Sequence, residues 1–180
     1  MNLAIRKWFW IWQQDQEKKF LEEQAKKAYV LIEVKVFKYI FDKRETKNLI
    51  YQMDFRGLGG KISQEEYLQI YEDAGWTSVP SGNGWYYFYQ EAKSNVNLSL
   101  FNDFESQRKA YIRLIGFLAL IGFPLYFYII YAIPNLQVSG FFTRVKLALI
   151  IIVVVIAFIH LISMIKIYHM YKKLKKNIKE

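Results

Sequence analysis

Apolar and polar positions are arranged differently in the two halves of the chain. Through residue 105 they alternate over short distances; beyond it the apolar residues gather into long blocks. In the first half, "KWFWIW" (residues 7–12) is a strand-length run rich in aromatics. "QEKKFLEEQAKKA" follows, with Phe20, Leu21, Ala25 and Ala28 on one helical face and Asp15 placed as an N-cap. "YVLIEVKVFKYIF" reads as a strand. "NLIYQMDF" alternates, putting Leu49, Tyr51, Met53 and Phe55 on one face and Gln52 and Asp54 on the other. "GLGGK" (57–61) reads as a turn, because it lacks the spacing and the Lys-Ser/Thr ending of a phosphate loop. Ser63 then caps a second helix, "QEEYLQIYEDAG", with Glu66 completing a capping box and Gly75 ending it. "WTSV", the turn "PSGNG" and "WYYFYQ" predict a closing hairpin.

An ungapped offset of 47 residues aligns this half with itself. Phe20 falls opposite Tyr67, Leu21 opposite Leu68, Ala28 opposite Gly75 and Tyr29 opposite Trp76. Tyr39 meets Tyr86, Phe41 meets Phe88, and Trp8 meets Phe55. Read as strand-helix-strand twice over, the expected fold class is α+β: a ferredoxin-like βαββαβ sandwich (residues 1–105) followed by a two-helix transmembrane hairpin (106–180). In that arrangement residues 8–12 form a central strand. Trp8, Trp10 and Trp12 then point at the helices, and Phe9 and Ile11 at an open sheet face.

The second half holds two uncharged blocks, Leu114–Ile133 and Leu147–Ile165. As helices, each is about the length that crosses the hydrocarbon core, where roughly 20 residues are needed. Pro124 predicts a kink in the first. Pro134, Asn135 and Gly140 mark a short connection, so the spans form an antiparallel hairpin. A buried hairpin of a soluble protein is the alternative. Arg108, Lys109 and Arg113 precede the first span, and six lysines from Lys166 to Lys179 follow the second. The connecting loop has only Arg144 and Lys146, so the excess of positive charge predicts a multi-pass membrane protein with both termini in the cytoplasm. The opening aromatic block is five apolar residues long, too short for a signal peptide or an anchor.

The chain has no cysteine, which excludes thiolate chemistry, disulfides and zinc-cysteine sites. Its net charge of +9 owes much to the tail "KIYHMYKKLKKNIKE". Beside a span, Lys172, Lys173, Lys175 and Lys176 are expected to meet anionic lipid headgroups rather than nucleic acid. No catalytic constellation, metal set or cofactor motif is expected. His160 is an ionisable side chain inside a span and therefore a functional candidate; the plainer reading is a hydrogen bond across the hairpin to a tyrosine of the first span. Candidates for contact with a protein partner are Phe9 and Ile11 on the open sheet face, and Glu65, Glu66, Glu72 and Asp73 on the second helix.

The stretches "KWFWIW", "EEYLQIYEDAGWTSVPSGNGWYYFYQ" and "LFNDFESQRKAYIRL" together resemble the bacterial domain-of-unknown-function 2812 family. Where that family usually ends its first helix in Gly-Trp, this chain has Ala28-Tyr29. The resemblance implies a domain carried ahead of membrane segments, often encoded beside PadR-type transcription repressors, and a regulatory role. It transfers no catalytic residues. The expected function is thus a non-enzymatic, membrane-anchored regulator, sensor or adaptor whose cytosolic domain contacts a protein such as a transcription regulator. The alternative is a structural accessory subunit of a transporter or other membrane complex, and a homo-oligomer is also open.

Overall fold

A computed structural model of the chain describes residues 2–45, 48–57, 62–82, 84–92, 104–135, 137 and 141–177. It divides into two units, Met1–Ala110 and Tyr111–Glu180.

The first unit contains β1 (Leu3–Arg6), α1 (Gln14–Lys26), β2 (Tyr29–Lys35), β3 (Lys38–Lys43), β4 (Leu49–Phe55), α2 (Gln64–Asp73), β5 (Thr77–Val79) and β6 (Trp85–Glu91). These form two antiparallel three-stranded sheets, ordered β1-β3-β2 and β4-β6-β5. The repeat is therefore βαββ, twice, with the last strand of each copy in the middle of its sheet. Backbone conformation repeats as well. The positive-φ residues Ala28 and Phe37 of the first copy fall, at the same 47-residue offset, on Gly75 and Gly84 of the second. Each pair marks the same two bends: the exit from the helix and the tip of the hairpin.

Three expectations are corrected here. The strands form two three-stranded sheets of βαββ copies rather than the expected ferredoxin-like βαββαβ sandwich. Residues 7–13 form no strand; the first strand is Leu3–Arg6, and it lies at a sheet edge rather than in the centre. Residues 29–41 are not one strand but a hairpin that turns at Val36 and Phe37. Its β2 arm bulges between Leu31 and Glu33. The Leu31 N–H donates to the buried Tyr51 hydroxyl at 3.1 Å, so a β4 side chain ties the two copies together. Burial pushes the Tyr51 phenol up to about 12.

The stripe on α1 explains how the copies share a core. Phe20, Leu21 and Ala25 are buried with Tyr39 and Phe41 of the first sheet and with Leu49, Tyr51 and Met53 of the second. The alternation in β4 puts Ile50 on the other face, where it joins a second cluster of Tyr67, Trp76 and Phe88 under α2. Ser63 and Glu66 form the expected capping box, with Ser63 Oγ accepting from the Glu66 N–H at 3.1 Å and Glu66 from the Ser63 N–H at 3.0 Å. At α1 the N-cap is Gln13 rather than Asp15, and no side chain caps it.

In the second unit, α3 (Phe104–Phe127) contains Pro124 and passes into a π-helical turn, Tyr128–Ala132, and a short α4 (Ile133–Asn135). Proline withholds one backbone donor, and a widened turn just beyond it is one way a helix accommodates the loss. Then α5 runs from Phe141 to Asn177. Arg108–Asn135 and Thr143–Lys173 are long and apolar enough to cross a membrane, each holding an 18-residue stretch of high mean hydropathy, 2.1 and 3.1. Large apolar side chains such as Leu120, Phe123, Ile130 and Phe158 are exposed along them.

Candidate functional site

Without a strand to hold them, residues 7–11 run as the loop that leads into α1. Trp10 is fixed there by its N–H donating to Gln13 Oε1 at 2.8 Å, and Trp12 stacks on Trp10 with ring centroids 5.1 Å apart. Trp8 packs on Phe37, centroid to centroid 4.4 Å, at the tip of the β2–β3 hairpin. Although large and apolar, Trp8 is 51% exposed and Phe37 53%. Together with Pro80–Gly82 and Trp85 of the second copy, this loop and hairpin border an open cleft of about 620 Å³.

The floor of the cleft is polar. Glu17 lies on the buried stripe of α1 and is only 8% exposed. Its Oε1 accepts two hydroxyls, Tyr39 at 2.6 Å from the first copy and Tyr87 at 2.7 Å from the second. Among the described residues, no side chain hydrogen-bonds Oε2. Burial raises the Glu17 carboxyl above the ordinary glutamate range, partly offset by the two hydroxyls. Burial and the nearby carboxyl push both phenols well above the usual tyrosine value. The two cations lining the cleft are engaged with other groups. Lys7 Nζ sits 4.2 Å from the Phe20 ring centroid and 5.0 Å from that of Phe9, and Lys35 pairs with Glu33 at 3.2 Å.

In the second copy, at the same 47-residue offset, Arg56 and Tyr67 take the places of Phe9 and Phe20, and Gln64 that of Glu17. Arg56 lies over the Tyr67 ring at 4.0 Å and donates to the Ile62 carbonyl at 3.0 Å, while the Tyr67 hydroxyl donates to Asp54 at 2.7 Å.

The candidate residues taken from sequence are distributed as follows. Phe9 does not face an open sheet; it is half-buried against Phe20 and Tyr39. Ile11 is half-buried and lines the cleft. The three tryptophans do not point at the helices as a row, since Trp8 and Trp10 are exposed. Glu65, Glu66, Glu72 and Asp73 are all exposed on α2. Of these, Glu66 serves the cap, Glu72 accepts from Ser78 at 3.1 Å, and Asp73 accepts from Gln69 at 2.7 Å. Lys172 and Lys173 are exposed near the end of α5; the side chains of Lys175 and Lys176 lie outside the described residues, as do residues 58–61 of "GLGGK".

His160 is engaged between the two long helices. Its Nε2 lies 2.8 Å from the Leu118 carbonyl and so carries the hydrogen; Nδ1 is 3.0 Å from the Tyr126 hydroxyl. The ring sits where Gly122 has no side chain, for a Cβ there would come within 2.5 Å of it. The cleft is far less legible in sequence. Its one signal is Glu17, whose spacing to Phe20, Leu21, Gln24 and Ala25 puts a carboxyl on the buried helical stripe.

The first unit is thus an α/β domain made of two βαββ copies that pack together and border an aromatic cleft. Residues 13–123 match the family described as "Protein of unknown function (DUF2812)", and the chain belongs to that family. No curated protein and no solved structure matches the chain.

Proposed function

We propose that the chain is a membrane-anchored, non-enzymatic sensor or adaptor: its first unit takes a small molecule in the aromatic cleft and contacts a protein partner. The observation that carries this reading is the cleft itself. Folding normally hides tryptophan and phenylalanine, yet here they wall an opening within the roughly 300–1,000 Å³ range of small-molecule sites. The exposed apolar surface of the two long helices supports insertion in a bilayer, and the lysine and arginine distribution supports both termini on the cytoplasmic side. The first unit then lies in the cytoplasm, with the acidic exposed face of α2 available to a basic partner.

The absence of native cysteine makes the orientation directly testable. In intact cells a membrane-impermeant maleimide should label Gln137→Cys, between the two long helices, and spare Lys172→Cys; the reverse pattern would refute the orientation. Affinity capture of the full chain from detergent-solubilised membranes, read by mass spectrometry, should recover a partner whose binding falls when Glu65 and Glu72 become lysine. Recovery of the chain alone would refute the adaptor role.

A further inference from the structure

We infer that the cleft of the first unit binds an organic cation, an ammonium group on an apolar or aromatic body, with the ammonium directed at Glu17. The inference deepens the sensor reading and rests on it for its biological meaning, but the binding site stands on its own geometry.

Glu17 is the starting point. A buried carboxyl is costly unless a cation or several donors satisfy it. Here both donors are neutral hydroxyls, and both go to Oε1. The other oxygen has no hydrogen-bond partner among the described residues, and the side chain lines the cleft. If the cleft served only apolar ligands, a glutamine or leucine at this position would fill the same stripe without that cost. An arriving ammonium would supply what the protein leaves out: a charge-assisted hydrogen bond in a site shielded from water.

The walls agree with the floor. Trp8, Trp10, Phe37 and Trp85 line the cleft, and aromatic rings attract cations. The protein already uses that attraction nearby, where the Lys7 ammonium rests over the Phe9 and Phe20 rings. An anionic ligand would meet the opposite situation. The cleft's own lysines are occupied, Lys7 by aromatic faces and Lys35 by Glu33, while the free carboxyl oxygen would repel it.

One skeleton in three charge states separates these possibilities. The full chain in maltoside micelles is titrated with phenylbutylamine, phenylbutanol and phenylbutyrate, following tryptophan fluorescence; all five tryptophans lie in the first unit. The amine should bind about tenfold or more tighter than the alcohol, the increment expected of a hydrogen bond to a charged group. Glu17→Gln, which can still accept both tyrosine hydroxyls, should remove that advantage. Should the variant fail to fold, the wild-type series decides alone. Phenylbutyrate binding best, three equal affinities, or an amine advantage that survives Glu17→Gln would overturn the proposal. A lipid headgroup carries the same ammonium. Competition by short-chain phosphatidylethanolamine would assign the site to lipid, and no competition to a free amine. Because no partner protein is present, failure here leaves the adaptor reading to its own capture experiment.

Discussion

The two βαββ copies share a strand order, a helix placement and two left-handed bends, and they differ in how each bend is made. The second copy uses the residues that the backbone favours: Gly75 at φ +83° and Gly84 at φ +76°, with a full capping box on its helix. The first copy puts Ala28 at φ 65° and Phe37 at φ 58° in the same places, and its helix has no side-chain cap. A left-handed conformation costs a residue with a Cβ about 1–2 kcal/mol. The first copy also supplies Glu17, the buried carboxyl that lines the cleft. Local rules are broken where the candidate site lies and kept where the unit is only scaffold, which is how functional sites commonly differ from their surroundings.

The largest test of this contrast is Gly84→Ala. A Cβ there would come within 2.7 Å of the Gly57 carbonyl oxygen, a backbone atom that cannot step aside. Together with the positive φ, this should cost roughly 3 kcal/mol, read from tryptophan-detected chemical unfolding. A loss below about 1 kcal/mol would mean that the second copy is not rigid there.

Next comes the tie between copies. Tyr51→Phe leaves the buried Leu31 N–H without its acceptor and should cost about 2 kcal/mol by the same assay. An unchanged unfolding midpoint would show that the bulge finds another partner.

A mirrored pair is smaller and more specific. Ala28→Gly should stabilise, and Gly75→Ala destabilise, each by about 1 kcal/mol. At Gly75 the nearest atom to a new Cβ is Gln90 Oε1 at 3.7 Å, so backbone strain is the only penalty. Two changes of the same sign would contradict the equivalence of the positions.

The last effect is a slope with pH rather than a step. Burial raises Glu17 above its unfolded value, so between the two values the folded chain holds the proton more tightly. That contribution to stability is fully present below the ordinary glutamate range and is lost as pH rises through the raised folded value. Glu17→Gln has no such loss, so its stability should pull ahead of wild type as pH rises. Parallel pH profiles would mean that the carboxyl is not desolvated.

How much of this could be read from sequence depends on where local and tertiary forces agree. The second copy was legible nearly residue by residue, because Ser63, Glu66, Gly75 and the β5–β6 turn each carry a local signal for the structure they adopt. The first copy is hard to read at the points where it departs from those rules. Val36-Phe37 has no turn residue, so the hairpin looked like one long strand. Yet the repeat held the correction, since Phe37 falls opposite Gly84. "KWFWIW" has the composition of a strand, but its tryptophans are spent on one another, on Phe37 and on the cleft. The true β1 is four residues long, with only Leu3 and Ile5 packed against the core, too short to register as a period. The cleft brings together residues as far apart as Glu17 and Tyr87, a proximity that no local pattern encodes.

The central claim is that the cleft over Glu17 is a binding site, whereas the aromatic cluster under α2 is scaffold. Its most direct measurement is the set of tryptophan indole N–H resonances of the full chain in micelles, followed as phenylbutylamine is added. Trp8, Trp10 and Trp85 line the cleft, whereas Trp76 is buried in the cluster under α2. Saturable shifts of the first three, with Trp76 unmoved, are the expected result. Shifts centred on Trp76, or none at any indole, would contradict the account.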